Sequence, residues 1–555
     1  MDRPTVHDEA GRNLHPIRYG LVAAVLLCAG AAAHLWYLIH DCPFDLSGDE
    51  AHYWEWARRL DWSYYSKGPL VAYIIAGSRW LLAGWSERVV GNEALAVRVP
   101  AILLSLGTGL GLYTLTWQTL RAPRLALAAV ALTFTIPILA VGAVLMTIDA
   151  PLAFCYVWAL VAVERGLRTR HRLPWIAAGV LIALGILAKY TMVLIFPAVG
   201  LAMLVEPSFR ASLRRLGPYL ATAIGLLGLV PILAWNAQHH WVSFRHVAGQ
   251  AGVTGGHALD LLGPFSFLAG QFAVIGPIWF ACLLCAVVGL WRKPQPQPPE
   301  CHEASALRLL LCATVTPWLG FLVFSLITKI QPNWPVLALL PGLVVLVCWL
   351  ARLLRRATTR RMARGVIAAG VVLGSVSVVM LHFTQWLMPA LAWMARREPP
   401  WNLTPVAKYD PTARLRGWSD LGRAVGRAER LVAPGAFIIT DDYQTASEIA
   451  FYCPGEPQVY CLQAALGDRQ SQYDIWSNPI RNPELFVGRP CIYVGALKSE
   501  LIGQGGLSHV ALPGVRLAET VEHRVRGQLL RVWPVYVCDG FAGLPPELSR
   551  AFQRF

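Results

Sequence analysis

Charged residues are scarce in this chain of 555 residues: they make up 15% of it, against about 25% in soluble domains. Acidic residues are the scarcer kind, with 33 Asp and Glu against 48 Lys and Arg, so the net charge is +15. Hydrophobic residues make up 55% of the chain and form long runs. This composition excludes a wholly soluble globular protein and indicates a protein that crosses a membrane many times.

Several other features are missing. There is no continuous basic surface pattern, because the cations occur in short clusters between apolar runs, and we therefore expect no nucleic-acid partner. No internal repeat and no clear metal-ligand spacing of His and Cys are present. The first apolar run, residues 19–39, is too long for a signal peptide and lacks a clear cleavage site, so it is predicted to span the membrane.

The apolar runs predict about eleven membrane spans, each of roughly 20 residues. With the amino terminus inside, every dense basic cluster falls on the cytoplasmic side, as the positive-inside rule requires. The predicted spans lie near residues 19–39, 95–119, 125–146, 150–164, 174–188, 191–205, 218–235, 266–290, 307–327, 333–351 and 365–383. The clusters lie within residues 121–124, 165–172, 210–215, 292–293 and 352–364.

Three charges stand alone in runs of about two spans each, which places them near outward hairpin tips. They are Asp149, Lys189 and Lys329. A lone ionisable group at the membrane boundary is costly and is usually functional. The alternative is that hairpin tips are hydrated and that the lysines extend to the lipid head groups. Because an acid and two lysines share one face, we favour a functional site.

The segment 45–73 concentrates polar chemistry on that same outer face. Ser47 is a plausible helix cap, and Asp49 and Glu50 fall in the favourable first turn. Adjacent residues on a helix point about 100° apart, so only one of the two acids can readily face a ligand. Lys67 follows in a Ser-Lys-Gly-Pro turn. The simpler alternative is a helix at the membrane surface with a hydrated acidic end.

The composition becomes that of a soluble protein after residue 383. We therefore predict a transmembrane domain over 1–383, with a first outer loop at 41–94, and an extracytoplasmic α/β domain over 384–555. Four of the 12 cysteines lie there, and they allow three pairings that the sequence does not distinguish: Cys453, Cys461, Cys491 and Cys538. Helices are predicted at 419–432 and 443–452, strands at 436–440, 458–462 and 491–494, and a hairpin at 515–537 turning at Arg526-Gly527.

Seven short motifs, in order along nearly the whole chain, resemble those of one enzyme group. They are Gly48-Asp49-Glu50, Tyr65–Pro69, Thr147–Leu152, Gly185–Tyr190, Gln331–Pro335, Asp442–Glu448 and Ser471–Asp474. The chain thus resembles bacterial membrane glycosyltransferases related to the protein O-mannosyltransferase family and the lipid A aminoarabinose transferases. The resemblance implies the mainly helical GT-C fold. It also implies a sugar donor linked to polyprenyl phosphate.

The resemblance also assigns chemistry to particular residues. Asp49 is implied to be the base that takes the acceptor proton in an inverting displacement, a role that a carboxylate suits. Lys67 and Lys189 are implied to bind the phosphate, where negative charge develops on the leaving group. Asp149 is also placed at the catalytic centre, where it orients the acceptor, holds a cation or fixes a lysine, and these alternatives stay open.

A further set of residues is implied to support the site. The members of this set in the outer domain are implied to bind the acceptor or to close the site. Ordinary helix packing would explain their presence equally well. The departures from the family pattern are His52, where some relatives carry Arg, and Ser66, where they carry an acid. These departures leave the sugar and any divalent metal cofactor undetermined. The supporting set is Glu50, His52, Lys329, Tyr443, Gln444, Glu448, Gln472 and Tyr473.

The sequence therefore predicts an enzyme of the cytoplasmic membrane that glycosylates a lipid, glycan or protein acceptor. It further predicts that Asp49, Lys67, Asp149 and Lys189 meet in one water-accessible cavity at the outer membrane boundary. A flippase of lipid-linked sugars is one alternative, but it would show broken spans at matched positions of two halves. A non-catalytic envelope scaffold is the other.

Overall fold

The computed structural model describes residues 6–169, 171–250, 259–292, 301–398, 402–497, 501 and 511–544. Two residues of the predicted basic clusters, Arg170 and Lys293, lie outside that description. The chain divides into two compact units. The helical unit comprises Met1–His40, Lys67–Val71 and Arg98–Leu381, and the α/β unit comprises Asp41–Ser66, Ala72–Val97 and His382–Phe555.

The helical unit is built from apolar helices, several of which are interrupted. Its longer α-helices are Val6–Trp36, Ala94–Leu120, Asp149–Arg168, Leu173–Ala188, Pro277–Arg292, Cys301–Phe324, Val336–Arg355 and Ala357–His382. The shorter α-helices are Pro123–Thr133, Pro137–Gly142, Ile195–Val205, Pro207–Arg210, Leu216–Leu226, Leu229–Gln238, Val242–Gln250 and Gly263–Ile275. Short π and 3₁₀ helices lie at Tyr37–Asp41, Tyr190–Leu194 and Ala211–Arg214.

Among the described residues, 7 helices are long and apolar enough to cross a membrane, or up to 9 if each of two bent pairs counts as one span. The multi-span architecture is therefore confirmed, with fewer uninterrupted spans than the roughly eleven apolar runs suggested. Breaks that hydrophobicity does not register account for part of the difference, and length accounts for the rest, since helix Leu173–Ala188 is unbroken but has only 16 residues. Two of the predicted spans, 125–146 and 174–188, form only shorter apolar helices.

Proline and glycine cause two of the breaks. Pro137 cannot donate a backbone hydrogen bond, and its ring would collide with the carbonyl of Thr133, where the preceding helix ends. The predicted span 266–290 bends by 115° between Gly263–Ile275 and Pro277–Arg292. Gly276 between them has φ +94°, a conformation that suits glycine and that ends a helix before the proline begins the next.

The helical unit has an apolar interior and an apolar exterior. In helix Val336–Arg355, 78% of the apolar window is buried, and the side chains pack around Tyr156, Trp279 and Phe280. In helix Ala357–His382 only 11% of the window is buried, although its hydropathy is nearly as high. Exposed apolar surface of this length is what a lipid-facing helix presents, and it would be unfavourable in water.

The α/β unit contains one five-stranded sheet in the order β2-β1-β3-β5-β4. Strand β1 is parallel to β2 and β3, whereas β5 is antiparallel to β3 and β4. The β4–β5 hairpin turns at Arg526 and Gly527, both with positive φ, as two-residue hairpins require. The strands are β1 Phe437–Thr440, β2 Val459–Cys461, β3 Cys491–Val494, β4 Arg516–Val525 and β5 Gln528–Cys538.

The helices of the α/β unit include two from the amino-terminal half of the chain, and two others, Trp418–Leu431 and Tyr443–Tyr452, contact the strands of the sheet. The α-helices are Gly48–Arg58, Leu70–Val90, Met388–Ala395, Trp418–Leu431 and Tyr443–Tyr452, and the 3₁₀ helices are Thr384–Leu387, Pro405–Lys408, Ala413–Leu415, Gln472–Asp474 and Pro483–Leu485. The secondary structure predicted for residues 419–537 is confirmed. The four cysteines of this region are free thiols, so no pairing among them is present.

Helix Leu70–Val90 was not predicted, because Arg79, Glu87 and Arg88 give its sequence the mixed character of a loop. Some of its side chains form polar contacts within the α/β unit, and others are exposed and apolar. Arg79 forms a salt bridge with Glu93, which also accepts a hydrogen bond from Trp54 Nε1 at 2.6 Å. Other positions, led by Trp80 at 85% exposure, present apolar surface. The segment predicted to be the first outer loop is therefore largely helical and belongs to the α/β unit, except for Lys67–Val71, which belongs to the helical unit.

Candidate active site

The start of helix Gly48–Arg58 separates the two adjacent acids. Ser47 Oγ accepts a hydrogen bond from the Glu50 backbone NH at 3.2 Å, and Glu50 Oε2 accepts one from the Ser47 NH at 2.9 Å. This capping box buries Glu50 completely, whereas the side chain of Asp49 is exposed. The predicted helix cap is confirmed, and Glu50 acts in holding the helix start.

The exposed carboxylate of Asp49 is held on one of its oxygens. Tyr443 Oη donates to Asp49 Oδ1 at 3.1 Å, and Arg469 Nη2 donates to Tyr443 Oη at 3.0 Å. Gln444 Nε2 lies 3.3 Å from the same phenolic oxygen. Burial, followed by the charge of Asp49, raises the pKa of Tyr443, so the phenol is neutral and able to donate.

His52, one turn along the helix, is a buried neutral imidazole. Its Nδ1 lies 3.0 Å from Ser447 Oγ, and its ring stacks on Tyr473 with a centroid separation of 5.5 Å. Burial, with a smaller effect of the Arg469 charge, lowers the pKa of His52 to about 3. This histidine therefore joins two helices by packing and a hydrogen bond.

The predicted outer-domain residues divide into a half-buried tyrosine with an exposed glutamine, Tyr443 and Gln444, and a buried group. Tyr443 and Gln444 lie at the edge next to Asp49. Glu448, Gln472 and Tyr473 are buried. Gln472 Oε1 accepts a hydrogen bond from the backbone NH of Tyr65 at 2.7 Å, so it anchors the chain just before the Ser-Lys-Gly-Pro turn.

In the helical unit a second polar cluster joins three of the resemblance motifs. Lys189 Nζ lies 2.6 Å from Asp149 Oδ1, and Asn333 Nδ2 donates to Asp149 Oδ2 at 2.7 Å. Lys189 is 6% exposed. Both oxygens of Asp149 are therefore occupied, one of them by a lysine. Lys329 is exposed, in the loop that precedes Asn333.

Helix ends position this cluster. Asp149 begins helix Asp149–Arg168, and Lys189 directly follows the end of Leu173–Ala188, so each charge lies at the helix end that favours its sign. The loop that carries Asn333 is tied to helix Gly263–Ile275, because Gln271 Nε2 of that helix donates a hydrogen bond to the carbonyl of Pro332 at 3.0 Å. The cluster is thus fixed from three separate elements.

Lys67 lies on a turn that packs against the same helix end. A Cβ added at Gly68 would overlap the backbone carbonyl of Leu187, two residues before Lys189. Only glycine permits this close approach of two backbone segments. The turn therefore holds Lys67 beside the end of the helix that Lys189 follows.

We expect Gly68→Ala to lower the stability of the protein by about 1–3 kcal/mol, the usual cost of overpacking against a rigid neighbour. Gly77→Ala is the matched control, since nothing lies within 4 Å of a Cβ added there and its helical position favours alanine. Thermal unfolding in detergent measures both variants. Equal midpoints for the two would show that the turn does not pack as described.

Two residues of these clusters were not among the predicted site residues. Asn333 falls in the Gln331–Pro335 motif, and that motif was its only signal. Arg469 belongs to no motif, and its contact with Tyr443 arises only from the fold. No group of three or more His, Cys, Asp or Glu side chains that could hold a metal ion is assembled in the part of the chain that the structure describes.

Comparison with known proteins agrees with the motifs. Residues 66–235 match the family model described as dolichyl-phosphate-mannose-protein mannosyltransferase, a range that includes Lys67, Asp149 and Lys189. The lipid A galacturonosyltransferase RgtD of Rhizobium johnstonii is 28% identical over 311 residues. That alignment covers 55% of this chain and 60% of the relative, so less than two thirds of the relative is matched.

The fold is similar to that of ArnT from Cupriavidus metallidurans. The crystal structure of ArnT bound to undecaprenyl phosphate has a TM-score of 0.59 and 17% identity, covering 92% of this chain and 97% of ArnT. The apo structure has a TM-score of 0.57 and 17% identity, covering 94% of this chain and 99% of ArnT. The predicted GT-C fold of a multi-span membrane protein with a small carboxyl-terminal sheet is confirmed.

Proposed function

We propose that this protein is a glycosyltransferase that moves a sugar from a polyprenyl-phosphate donor to a glycolipid acceptor on the outer face of the cytoplasmic membrane. The observation that supports it most strongly is the exposed, oriented carboxylate of Asp49 in a chain that has the fold of ArnT. A carboxylate base is what a transfer to a hydroxyl group needs. A transporter or a scaffold carries out no such transfer.

In the proposed step the acceptor hydroxyl oxygen attacks the anomeric carbon of the donor sugar. Asp49 takes the hydroxyl proton, a new carbon–oxygen bond forms, and the bond between the anomeric carbon and the phosphate oxygen breaks. The electron pair of that bond leaves with the polyprenyl phosphate. Attack from the face opposite the phosphate inverts the anomeric configuration.

The leaving phosphate gains negative charge, and cations placed near it lower the barrier. We assign this role to Lys67 and Lys189. The ion pair between Lys189 and Asp149 supports the view that Asp149 fixes this lysine, the third of its three predicted roles. The meeting of Asp49 with Lys67, Asp149 and Lys189 around one donor stays a prediction.

The lipid acceptor is favoured over a glycan or a protein by the relative that acts on lipid A. The proposal is tested by reconstituting the purified protein in proteoliposomes with lipid A and undecaprenyl-phosphate-linked sugars. Donors carrying galacturonic acid, aminoarabinose or mannose are supplied separately. We expect lipid A to gain the mass of one sugar residue, which is the free sugar less one water, with one of these donors. Movement of intact donor across the bilayer, without any product, would identify a flippase instead.

The proposed location requires a cytoplasmic amino terminus and an extracytoplasmic α/β unit. The support is the placement of the basic clusters on one side of the membrane. In intact spheroplasts, we expect an external protease or antibody to reach a tag after Phe555 but not one before Met1. The opposite labelling pattern would place Asp49 on the cytoplasmic side and would overturn the proposed function as well.

A further inference from the structure

Arg469 and Tyr443 form a chain of hydrogen bonds that ends on Asp49. An arginine side chain only donates hydrogen bonds, so the phenolic oxygen of Tyr443 must accept from Arg469. The one hydrogen of that phenol is then free to point at another acceptor, and Asp49 Oδ1 lies 3.1 Å away. The direction of both hydrogen bonds is thereby fixed.

Arg469 is held in two ways. Its guanidinium lies 5.1 Å from the centroid of the Tyr443 ring, so the residue that donates to the hydroxyl also stacks on the ring. The loop that carries Arg469 is tied to the start of helix Tyr443–Tyr452 through Gln463. Gln463 Nε2 donates a hydrogen bond to Asp468 at 3.1 Å, and Gln463 Oε1 accepts one from the Tyr443 backbone NH at 3.1 Å. Arg469 and Tyr443 are therefore positioned together.

We propose that Arg469 is a positioning residue that acts through Tyr443 to orient the base. With Oδ1 bound by the phenol, Asp49 Oδ2 is the oxygen available to the acceptor proton. Arg469, with the weaker donor Gln444 at 3.3 Å from the same oxygen, sets the direction of the phenolic hydrogen and itself touches no reacting atom. This inference depends on the proposed role of Asp49 as the base.

The expected effects fall mainly on turnover. A hydrogen bond to a charged group contributes about 1.5–3 kcal/mol, so Tyr443→Phe should lower kcat about 10- to 150-fold. Arg469→Met acts one bond further away, and we expect a decrease in kcat of about threefold to tenfold. The KM values for undecaprenyl-phosphate sugar and for lipid A should change less than about twofold in both variants if the two side chains act on Asp49 alone, whereas a raised acceptor KM in Tyr443→Phe would support the acceptor-binding role predicted for Tyr443.

A double-mutant cycle tests whether Arg469 acts through Tyr443. In the Tyr443→Phe background, Arg469→Met should have no further effect on kcat. Arg469→Lys should recover part of the activity, since it restores a donor but not the fork of the guanidinium. Arg423→Met is the matched control, an exposed arginine of the same unit that pairs with Asp420.

The outcomes of the cycle distinguish a positioning role of Arg469 from direct binding of the donor and from a purely structural role. If Arg469→Met raises the donor KM equally with and without Tyr443, Arg469 binds the donor directly and the positioning role is wrong. If Arg469→Met matches the Arg423→Met control while Asp49→Asn is inactive, the inference fails and the proposed function stands. If Asp49→Asn retains full turnover, Asp49 is not the base, and the inference fails with that role while the transferase activity itself stands.

Discussion

Asp49→Asn is expected to lower the turnover of sugar transfer by about 100- to 10,000-fold, the range usually contributed by a general base. Asparagine keeps the shape of the side chain and can still accept from Tyr443, but it cannot take a proton from the acceptor. The variant should accumulate in the membrane normally, because Asp49 is exposed and the capping box is formed by Ser47 and Glu50. Its affinity for undecaprenyl-phosphate sugar should stay within about twofold of the parent.

Glu87→Gln is the control for this experiment. It removes another exposed carboxylate of the α/β unit, in helix Leu70–Val90, and it should leave turnover unchanged. Turnover is measured with saturating donor and acceptor, and donor affinity is measured separately by equilibrium binding. Full turnover by Asp49→Asn, or an equal loss in Glu87→Gln, would remove Asp49 from the chemistry.

Lys189→Met is expected to have the second-largest effect, on both stability and activity. Removing one partner of a fully buried ion pair costs about 3–5 kcal/mol, and the cost here should be smaller because the Asp149 side chain is 17% exposed. Here Asp149 would keep only Asn333 as its hydrogen-bonding partner in the cluster. We expect a lower thermal midpoint in detergent, weaker accumulation, and transfer reduced by about 100-fold or more through loss of charge stabilisation at the phosphate.

The double variant Asp149→Asn/Lys189→Met separates these two effects. Without either charge the cluster carries no unpaired ion, so the thermal midpoint should recover most of its loss, as replacing a buried pair is often nearly neutral. Transfer should stay low, because the phosphate still lacks its cation. Recovery of transfer along with stability would show that Lys189 has only a structural role.

Local sequence signals predicted much of the α/β unit. The Arg526-Gly527 turn follows from turn chemistry, and the helix over 443–452 follows from the residue pattern of its own segment, both of which are local. The helical break at Gly276-Pro277 also had a local signal, the Gly-Pro pair itself. The predicted span over 266–290 missed it because that prediction used hydrophobicity alone. Helix Leu70–Val90 was missed because its charges resemble those of a loop, whereas one of them, on Arg79, is satisfied by Glu93.

The candidate site was predictable in part and for a physical reason. Hydrocarbon penalises a lone charge, so Asp149 and Lys189 stood out as single charges in long apolar runs. That argument finds the charges but not their partners, and Asn333 joins them from 184 positions beyond Asp149. Likewise, Tyr443 lies 394 positions from Asp49, and Arg469 reaches Asp49 only through it. Such contacts depend on the complete fold.

The most direct test of the central claim is an NMR determination of the anomeric configuration of the sugar in donor and product. The reconstituted protein is supplied with lipid A and an undecaprenyl-phosphate sugar labelled with ¹³C at the anomeric carbon. We predict that the label appears on lipid A with the configuration opposite to that of the donor, with one undecaprenyl phosphate released for each sugar transferred. A product that retains the donor configuration, or release of undecaprenyl phosphate without a glycosylated product, would contradict a single inverting displacement with Asp49 as its base.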